Sequence, residues 1–165
     1  MLAVMRDSWA LLLGLLLLMV GNGLQGSLLG VRGSLEGMSA STLSWVMSAY
    51  FAGFLAGARL APRLIRRVGH VRVFAAMASL VSAAFILFAA WPDPWFWSAM
   101  RFVVGLCFAA VYIVTESWLN DRATNETRGQ AMSLYVIVQT GGVAAAQGFL
   151  NLADPGGWLL FVLIS

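Results

Sequence analysis

Long apolar runs separated by short polar breaks are the main pattern of the chain. Five runs each hold 20 or more residues and cover approximately 9–29, 42–61, 71–91, 95–118 and 131–152. A helix rising about 1.5 Å per residue needs about 20 residues to cross a hydrocarbon layer about 30 Å thick. A sixth run over 157–165 is too short to cross. The pattern predicts an all-α integral membrane protein, a polytopic helical bundle with five complete spans and part of a sixth.

Proline and glycine predict how these helices end and pack. We expect Pro62 to terminate the second helix, and Pro92 and Pro94 to frame a turn. Small residues spaced four apart indicate close helix packing, at Ala49, Gly53 and Gly57 in the second span and at Gly26 and Gly30 in the first. A cleaved signal peptide behind Arg6 is an alternative for the first run, but the four later runs make the protein multispanning in either case.

Composition supports a membrane environment. The 165 residues are 61% hydrophobic and 10% charged, with a mean hydropathy of +0.84. Soluble globular proteins carry about 25% charged residues, so this chain lacks the charge to cover a water-exposed surface. Disorder is excluded by the same apolar content, and a single cysteine, Cys107, excludes a disulfide framework. The lipid bilayer is therefore the first partner that the sequence implies.

The arginines predict the orientation. A cytoplasmic N-terminus places most of them on the inside, namely Arg6, Arg59, Arg63, Arg66, Arg67, Arg72, Arg122 and Arg128, and leaves only Arg32 outside. This asymmetry follows the positive-inside rule. It explains the net charge of +3 through orientation and contact with anionic lipid, so nucleic acid is not an expected partner.

Arg101 lies inside the fourth predicted span. An arginine near the centre of a membrane helix costs about 2.5–3.5 kcal/mol on insertion scales. Either its side chain reaches the outer interface, or it faces a protein interior or a watery cavity and handles an anionic group or a structural partner. Helical spacing favours the cavity, because Gly105, Tyr112 and Thr115 fall on the same stripe as Arg101, with Glu116 at its edge.

Further polar residues in the spans extend this set. Together the candidates for contacts with a substrate in a central cavity are Arg101, Asn22, Gln25, Tyr112 and Gln147. The third span holds only Ser79 and Ser82 among apolar residues and could face lipid. The sole histidine, His70, is expected in a cytoplasmic loop outside any hydrophobic pocket. With one cysteine, no HExxH motif, no second carboxylate inside the membrane and no phosphate-binding loop, the sequence predicts no enzyme, no catalytic residue, no metal and no cofactor.

Three segments resemble the N-terminal half of a major facilitator superfamily transporter. The stretch from Pro62 to Arg72 is similar to the family's GxxxDRxGRR loop, with proline in place of the first glycine, Arg66 in place of the aspartate, and Arg67 and Gly69 kept. Arg101 and Gly105 match the spacing of the fourth-helix motif RxxqG. The run Thr-Glu-Ser-Trp-Leu-Asn that begins at Thr115 resembles a little-characterised bacterial subgroup.

The resemblance implies a secondary active transporter of a small solute in the bacterial inner membrane, working by alternating access. This chain would supply an incomplete N-terminal half, so a C-terminal half or a second subunit would be needed. Spans one, two, four and five would line the cavity. At the cytoplasmic gate, Glu116 is expected to pair with Arg66, Arg67 or Arg128. The alternative is a non-transporting helical membrane protein, such as an assembly factor, a sensor or a subunit.

Overall fold

The computed structural model describes the backbone of residues 2–149 and the side chains of residues 8–148. This part of the chain forms five α-helices: α1 (Leu2–Leu35), α2 (Ala40–Val68), α3 (His70–Ala90), α4 (Pro94–Arg122) and α5 (Arg128–Phe149). Each of the five predicted runs therefore coincides with a helix. The sixth run lies outside the described residues.

Within residues 2–149, three helical segments are long and apolar enough to cross a membrane: Ser8–Leu35 in α1, all of α3 and all of α4. Helices α2 and α5 are also long, at 29 and 22 residues, but arginines near the end of α2 and the polar and glycine residues of α5 make them less apolar. The structure thus confirms an all-helical fold with apolar helices, and the count of five complete spans stays a prediction.

The expectation that Pro62 ends the second helix is wrong, because α2 continues through it to Val68. Proline removes one helical hydrogen bond, but its fixed φ fits a helix, and membrane helices tolerate it. The helix ends at Gly69, whose φ of 85° is unfavourable for other residues and whose N–H donates to the Ile65 carbonyl at 2.9 Å. Helix α3 begins at the next residue, so the stretch compared with the family's loop is almost entirely helical.

The turn before α4 has the expected form. Pro94 is at the first helical position, where its missing N–H costs nothing, and the Asp93 carboxylate accepts a hydrogen bond from the Phe96 N–H at 2.8 Å.

In the connection that follows α4, a hydrogen bond from the hydroxyl of Thr124 lowers the pKa of the exposed Glu126, with a smaller contribution from the backbone N–H of Glu126. Both connections are short.

Helices α2 and α4 pack backbone to backbone through glycine. A Cβ atom at position 53 would lie 2.7 Å from the Phe102 carbonyl carbon, and one at position 57 would lie 2.8 Å from the Cα of Leu106. From the other side, a Cβ atom at position 105 would lie 2.9 Å from the carbonyl carbon of Tyr50. The predicted close packing at Gly53 and Gly57 is therefore confirmed, with α4 as the partner helix.

The same prediction for the first span finds no support among residues 8–148. A Cβ atom at Gly26 or Gly30 would meet nothing within 4 Å in the described part of the chain. Close contact between α1 and α5 occurs instead at Gly23, next to the Cβ of Ala146, and at Gly142, next to the Cβ of Met19. On α1, the close contact that the described residues show is thus at Gly23, which the four-residue spacing did not select.

Helix α4 is the most buried element, and α3 packs against one side of it. The buried residues of α3 include Val81, Phe85 and Phe88, and the buried Trp97 indole of α4 donates a hydrogen bond to the Phe88 carbonyl at 3.2 Å. The opposite side of α3 exposes apolar residues such as Leu80 and Ile86. An exposed apolar face suits contact with lipid, in agreement with the expectation for the third span.

Candidate functional site

Arg101 lies inside the protein. Its position about two turns into α4 leaves the residue only 8% exposed, and its Nη1 donates a hydrogen bond to Oε1 of Gln25 at 2.8 Å. Gln25 is completely buried on α1. Of the two accounts that the sequence left open for Arg101, the structure shows the one in which it faces a protein interior with a polar partner.

The ring of Tyr50 also packs against the guanidinium of Arg101, a contact that the sequence did not predict. The Cζ of Arg101 lies 4.8 Å from the centre of the Tyr50 ring, which is the geometry of a cation–π contact. Tyr50 approaches because Gly105 has no side chain to hold its backbone away. We call the set Arg101, Gln25 and Tyr50 the arginine cluster. It joins α4, α1 and α2.

Aromatic contacts connect the arginine cluster to Tyr112. The ring of Tyr50 is 6.1 Å from that of Phe54, and the ring of Phe54 is 5.9 Å from that of Tyr112, between ring centres. The Tyr112 hydroxyl donates to the sulfur of Met19 at 3.5 Å and lies beside Gln139. Tyr112 is eleven residues beyond Arg101 on α4, about 16 Å along the axis. It therefore belongs to the same side of the bundle but does not touch the guanidinium.

The remaining cavity candidates lie farther from the guanidinium. Gln147 is exposed on α5, and its Nε2 donates to the Gly23 carbonyl at 3.3 Å, which joins α5 to α1. Asn22 is half-buried and lies about one turn before Gln25 on α1. Among the five candidates, the described structure brings Arg101 and Gln25 into direct contact.

Two buried nitrogen atoms in the arginine cluster have no hydrogen-bond partner among the described residues: Nε of Arg101 and Nε2 of Gln25. Both are donors, since the Gln25 oxygen already accepts from the guanidinium. Arginine keeps its proton under physiological conditions, so the cluster suits binding and orientation of a ligand rather than proton transfer. The described residues hold no group of three His, Cys, Asp or Glu side chains placed to bind a metal ion.

The gate candidates at the other end of α4 are separate in this conformation. Glu116 is exposed, and its carboxylate lies beside the hydroxyl of Tyr135 on α5. Arg66, Arg67 and Arg128 are exposed as well. Within residues 8–148 the structure records no ion pair between Glu116 and any of these arginines.

His70 makes contacts that the sequence did not predict. Its Nε2 is 3.0 Å from the Ser117 hydroxyl and 3.9 Å from a carboxylate oxygen of Asp121, and its ring meets the Trp118 ring edge-on at 5.8 Å. The expectation that it lies outside any hydrophobic pocket is wrong, because it lines a mainly apolar pocket of about 290 Å³ together with Trp118 and Phe74. The Thr-Glu-Ser-Trp-Leu-Asn run thus attaches the end of α4 to the start of α3.

Comparison with known proteins agrees with this architecture. The model of the Major Facilitator Superfamily matches residues 11–165. The MFS-type transporter YcaD of Salmonella newport (strain SL254) is 28% identical over 158 residues, which cover 96% of this chain and 41% of the relative. YcaD of Escherichia coli O45:K1 (strain S88 / ExPEC) is 32% identical over 133 residues, which cover 81% of this chain and 35% of the relative.

The chain therefore spans about two fifths of the length of the curated relatives it matches. No solved structure matches. The family match over nearly the whole chain agrees with the apolar helices and with the motif residues Arg101 and Gly105. The chain belongs to the major facilitator superfamily.

Proposed function

We propose that this chain is the N-terminal part of a secondary active transporter that moves a small solute across the bacterial inner membrane by alternating access. The observation that carries the proposal is the arginine cluster, a buried cation held where α1, α2 and α4 meet. The relatives named as transporters support it. The rest of the transporter would come from the C-terminal half, and the N-terminus would lie in the cytoplasm, where the positive-inside rule places most of the arginines.

The energetic argument concerns the cost of burying Arg101. An ionised group inside a membrane protein is costly and faces the bundle interior or a water-filled cavity when it is present. The two contacts that the described residues give to Arg101, an amide oxygen and an aromatic face, leave one of its N–H groups without an acceptor. If the core served stability alone, an apolar side chain at this position would be more favourable than a buried charge. The charge of Arg101 therefore indicates a role in function.

Alternating access can be tested by cysteine labelling of the full-length parent. In a Cys107→Ser background, we expect Asn22→Cys and Tyr50→Cys to react with the membrane-impermeant anionic reagent MTSES in both right-side-out and inside-out vesicles. Both positions are half-buried; Tyr50 belongs to the arginine cluster, and Asn22 lies about one turn before Gln25 on α1. Leu80→Cys is the matched control, because its side chain is exposed on the apolar face of α3 and should stay unreactive in lipid. If positions 22 and 50 are as unreactive as position 80, a non-transporting helical protein is the better description.

The gate pairing applies to the conformation in which the cytoplasmic side is closed. In that state the carboxylate of Glu116 would leave Tyr135 and pair with Arg66 or Arg67. We expect Glu116→Arg to raise the rate of cytoplasmic MTSES labelling at Tyr50→Cys several-fold, because an attraction becomes a repulsion. Adding Arg66→Glu or Arg67→Glu should restore the original rate. Arg72→Glu is the control reversal on α3, and restoration by it alone would refute the specific pairing.

A further inference from the structure

We infer that the arginine cluster binds an oxyanion, namely a carboxylate or phosphate group of the transported solute. This rests on the proposed function and specifies its substrate class. The inference comes from the charge of the cluster and from the type of hydrogen-bonding group that it leaves unused. Both point to the same ligand chemistry.

The first observation is a buried positive charge with neutral neighbours. The guanidinium of Arg101 contacts the amide oxygen of Gln25 and the ring of Tyr50. The acidic side chains that the structure describes lie in the connections or toward helix ends, at Glu36, Asp93, Glu116, Asp121 and Glu126. Within residues 8–148 no ion pair is recorded for Arg101. A buried cation is costly unless an anion compensates it, so a negative charge is missing from the described site.

The second observation is the set of unused hydrogen-bonding groups. Gln25 presents its oxygen to the guanidinium, and the reversed amide would place an NH₂ group against a cation. This fixes Nε2 of Gln25 as a donor without an acceptor, and Nε of Arg101 is a second such donor. A ligand that satisfies the site must bring acceptors and no competing donors.

An oxyanion meets both requirements at once. Its oxygen atoms accept from several N–H groups, and hydrogen bonds between a guanidinium and a carboxylate or phosphate are about twice as strong as neutral ones. A neutral alcohol or amide would supply acceptors without the charge, and a cationic solute would be repelled. The required acceptor could also be a carboxylate of the transporter outside the described residues. An oxyanion of the solute and a carboxylate of the transporter would make the same hydrogen bonds to Arg101, but only the carboxylate would be present without solute.

The decisive variant is Gln25→Glu in the full-length parent, purified in detergent, because glutamate has the shape of glutamine and adds one negative charge. If the site lacks an internal anion, the new carboxylate pairs with Arg101, and the melting temperature in plain buffer rises above that of the wild type. If a carboxylate of the transporter already occupies the site, the second negative charge lowers the melting temperature. Asn125→Asp, the same amide-to-carboxylate change at an exposed position in the connection after α4, is the matched control and should change it little.

Ligand probes then identify the solute as the source of the anion. Succinate and inorganic phosphate are compared with their uncharged counterparts, succinamide and trimethyl phosphate. We expect at least one anion, and neither neutral compound, to raise the melting temperature of the wild type. The apparent affinity should fall about tenfold or more in Arg101→Gln and in Gln25→Glu, because a charge-assisted hydrogen bond is lost or the site is already filled.

The inference is overturned if Gln25→Glu melts below the wild type, or if neither anion raises the wild-type melting temperature. Either result leaves the transport proposal intact when cysteines at positions 22 and 50 still react from both sides of the membrane. Failure of that labelling experiment, by contrast, would remove the transport proposal itself. The two failures are therefore distinguishable.

Discussion

Replacing Gly53 by alanine should destabilise the bundle, although alanine normally favours a helix. The added Cβ atom would lie 2.7 Å from the carbonyl carbon and 2.9 Å from the Cα of Phe102 on the facing helix. Carbon atoms in contact prefer a separation of about 3.5–4.0 Å. The obstruction is backbone, which cannot rotate away as a side chain does, so α2 and α4 must separate by several tenths of an ångström or more.

The expected loss is about 1–3 kcal/mol, the usual cost of forcing extra atoms into a packed interface. Gly26→Ala provides the matched control, because it makes the same chemical change in a helix where the new Cβ meets nothing within 4 Å. There the higher helix propensity of alanine should stabilise the protein by about 0.5–1 kcal/mol. The two variants should thus move stability in opposite directions, which separates the effect of packing from that of propensity.

The free energy of unfolding can be measured by titrating the protein from mild detergent into sodium dodecyl sulfate while recording helix content. Gly105→Ala removes space from the same contact on the opposite helix, where a Cβ atom would lie 3.0 Å from the Phe54 amide nitrogen. A single separation of the two helices relieves both clashes. The double variant Gly53→Ala, Gly105→Ala should therefore lose less unfolding free energy than the two single variants lose together. If Gly53→Ala is as stable as Gly26→Ala, the close backbone contact is refuted.

Two further predictions concern the connections to α3. Gly69→Ala should lower the free energy of unfolding by about 1–3 kcal/mol, because a φ of 85° with a ψ of 162° is a backbone conformation that essentially only glycine adopts. Gly129→Ala, in a helix where the new Cβ atom meets nothing within 4 Å, should not lower stability. The same detergent titration compares the two variants, and equal stability would contradict the strained ending of α2. Trp97→Phe removes the hydrogen bond to the Phe88 carbonyl and should cost about 1 kcal/mol, and an unchanged unfolding free energy would show that this bond does not contribute.

The helices were predictable because the bilayer leaves few alternatives. A backbone that crosses hydrocarbon must satisfy its own hydrogen bonds, so long apolar runs become helices whatever their detailed packing. The helix ends were less predictable. Pro62 is the strongest helix breaker in the sequence of α2, yet the helix continues for six more residues and ends where Gly69 adopts a positive φ. A local rule for proline gave the wrong boundary because other contacts can compensate for one missing hydrogen bond.

The arginine cluster was predictable in part. A charged residue in an apolar span requires a polar partner, and this rule selects Arg101 and directs attention to Gln25. It does not select Tyr50, which is a residue that membrane proteins often place at the interface with water. Its contact with Arg101 depends on the axial register of α2 against α4, and that register is set by glycine contacts whose partners the sequence does not reveal.

The packing of the helices determines which of them a ligand bound at the arginine cluster would move. Gly53, Gly57 and Gly105 join α2 to α4, and Gly23 and Gly142 join α1 to α5. Within the cluster, Tyr50 and Arg101 belong to the α2–α4 pair, whereas Gln25 belongs to α1. The hydrogen bond between Arg101 and Gln25 therefore crosses the seam between two closely packed pairs. A ligand that binds both side chains would draw the pairs together, whereas movement within either pair would require separating backbones already in contact.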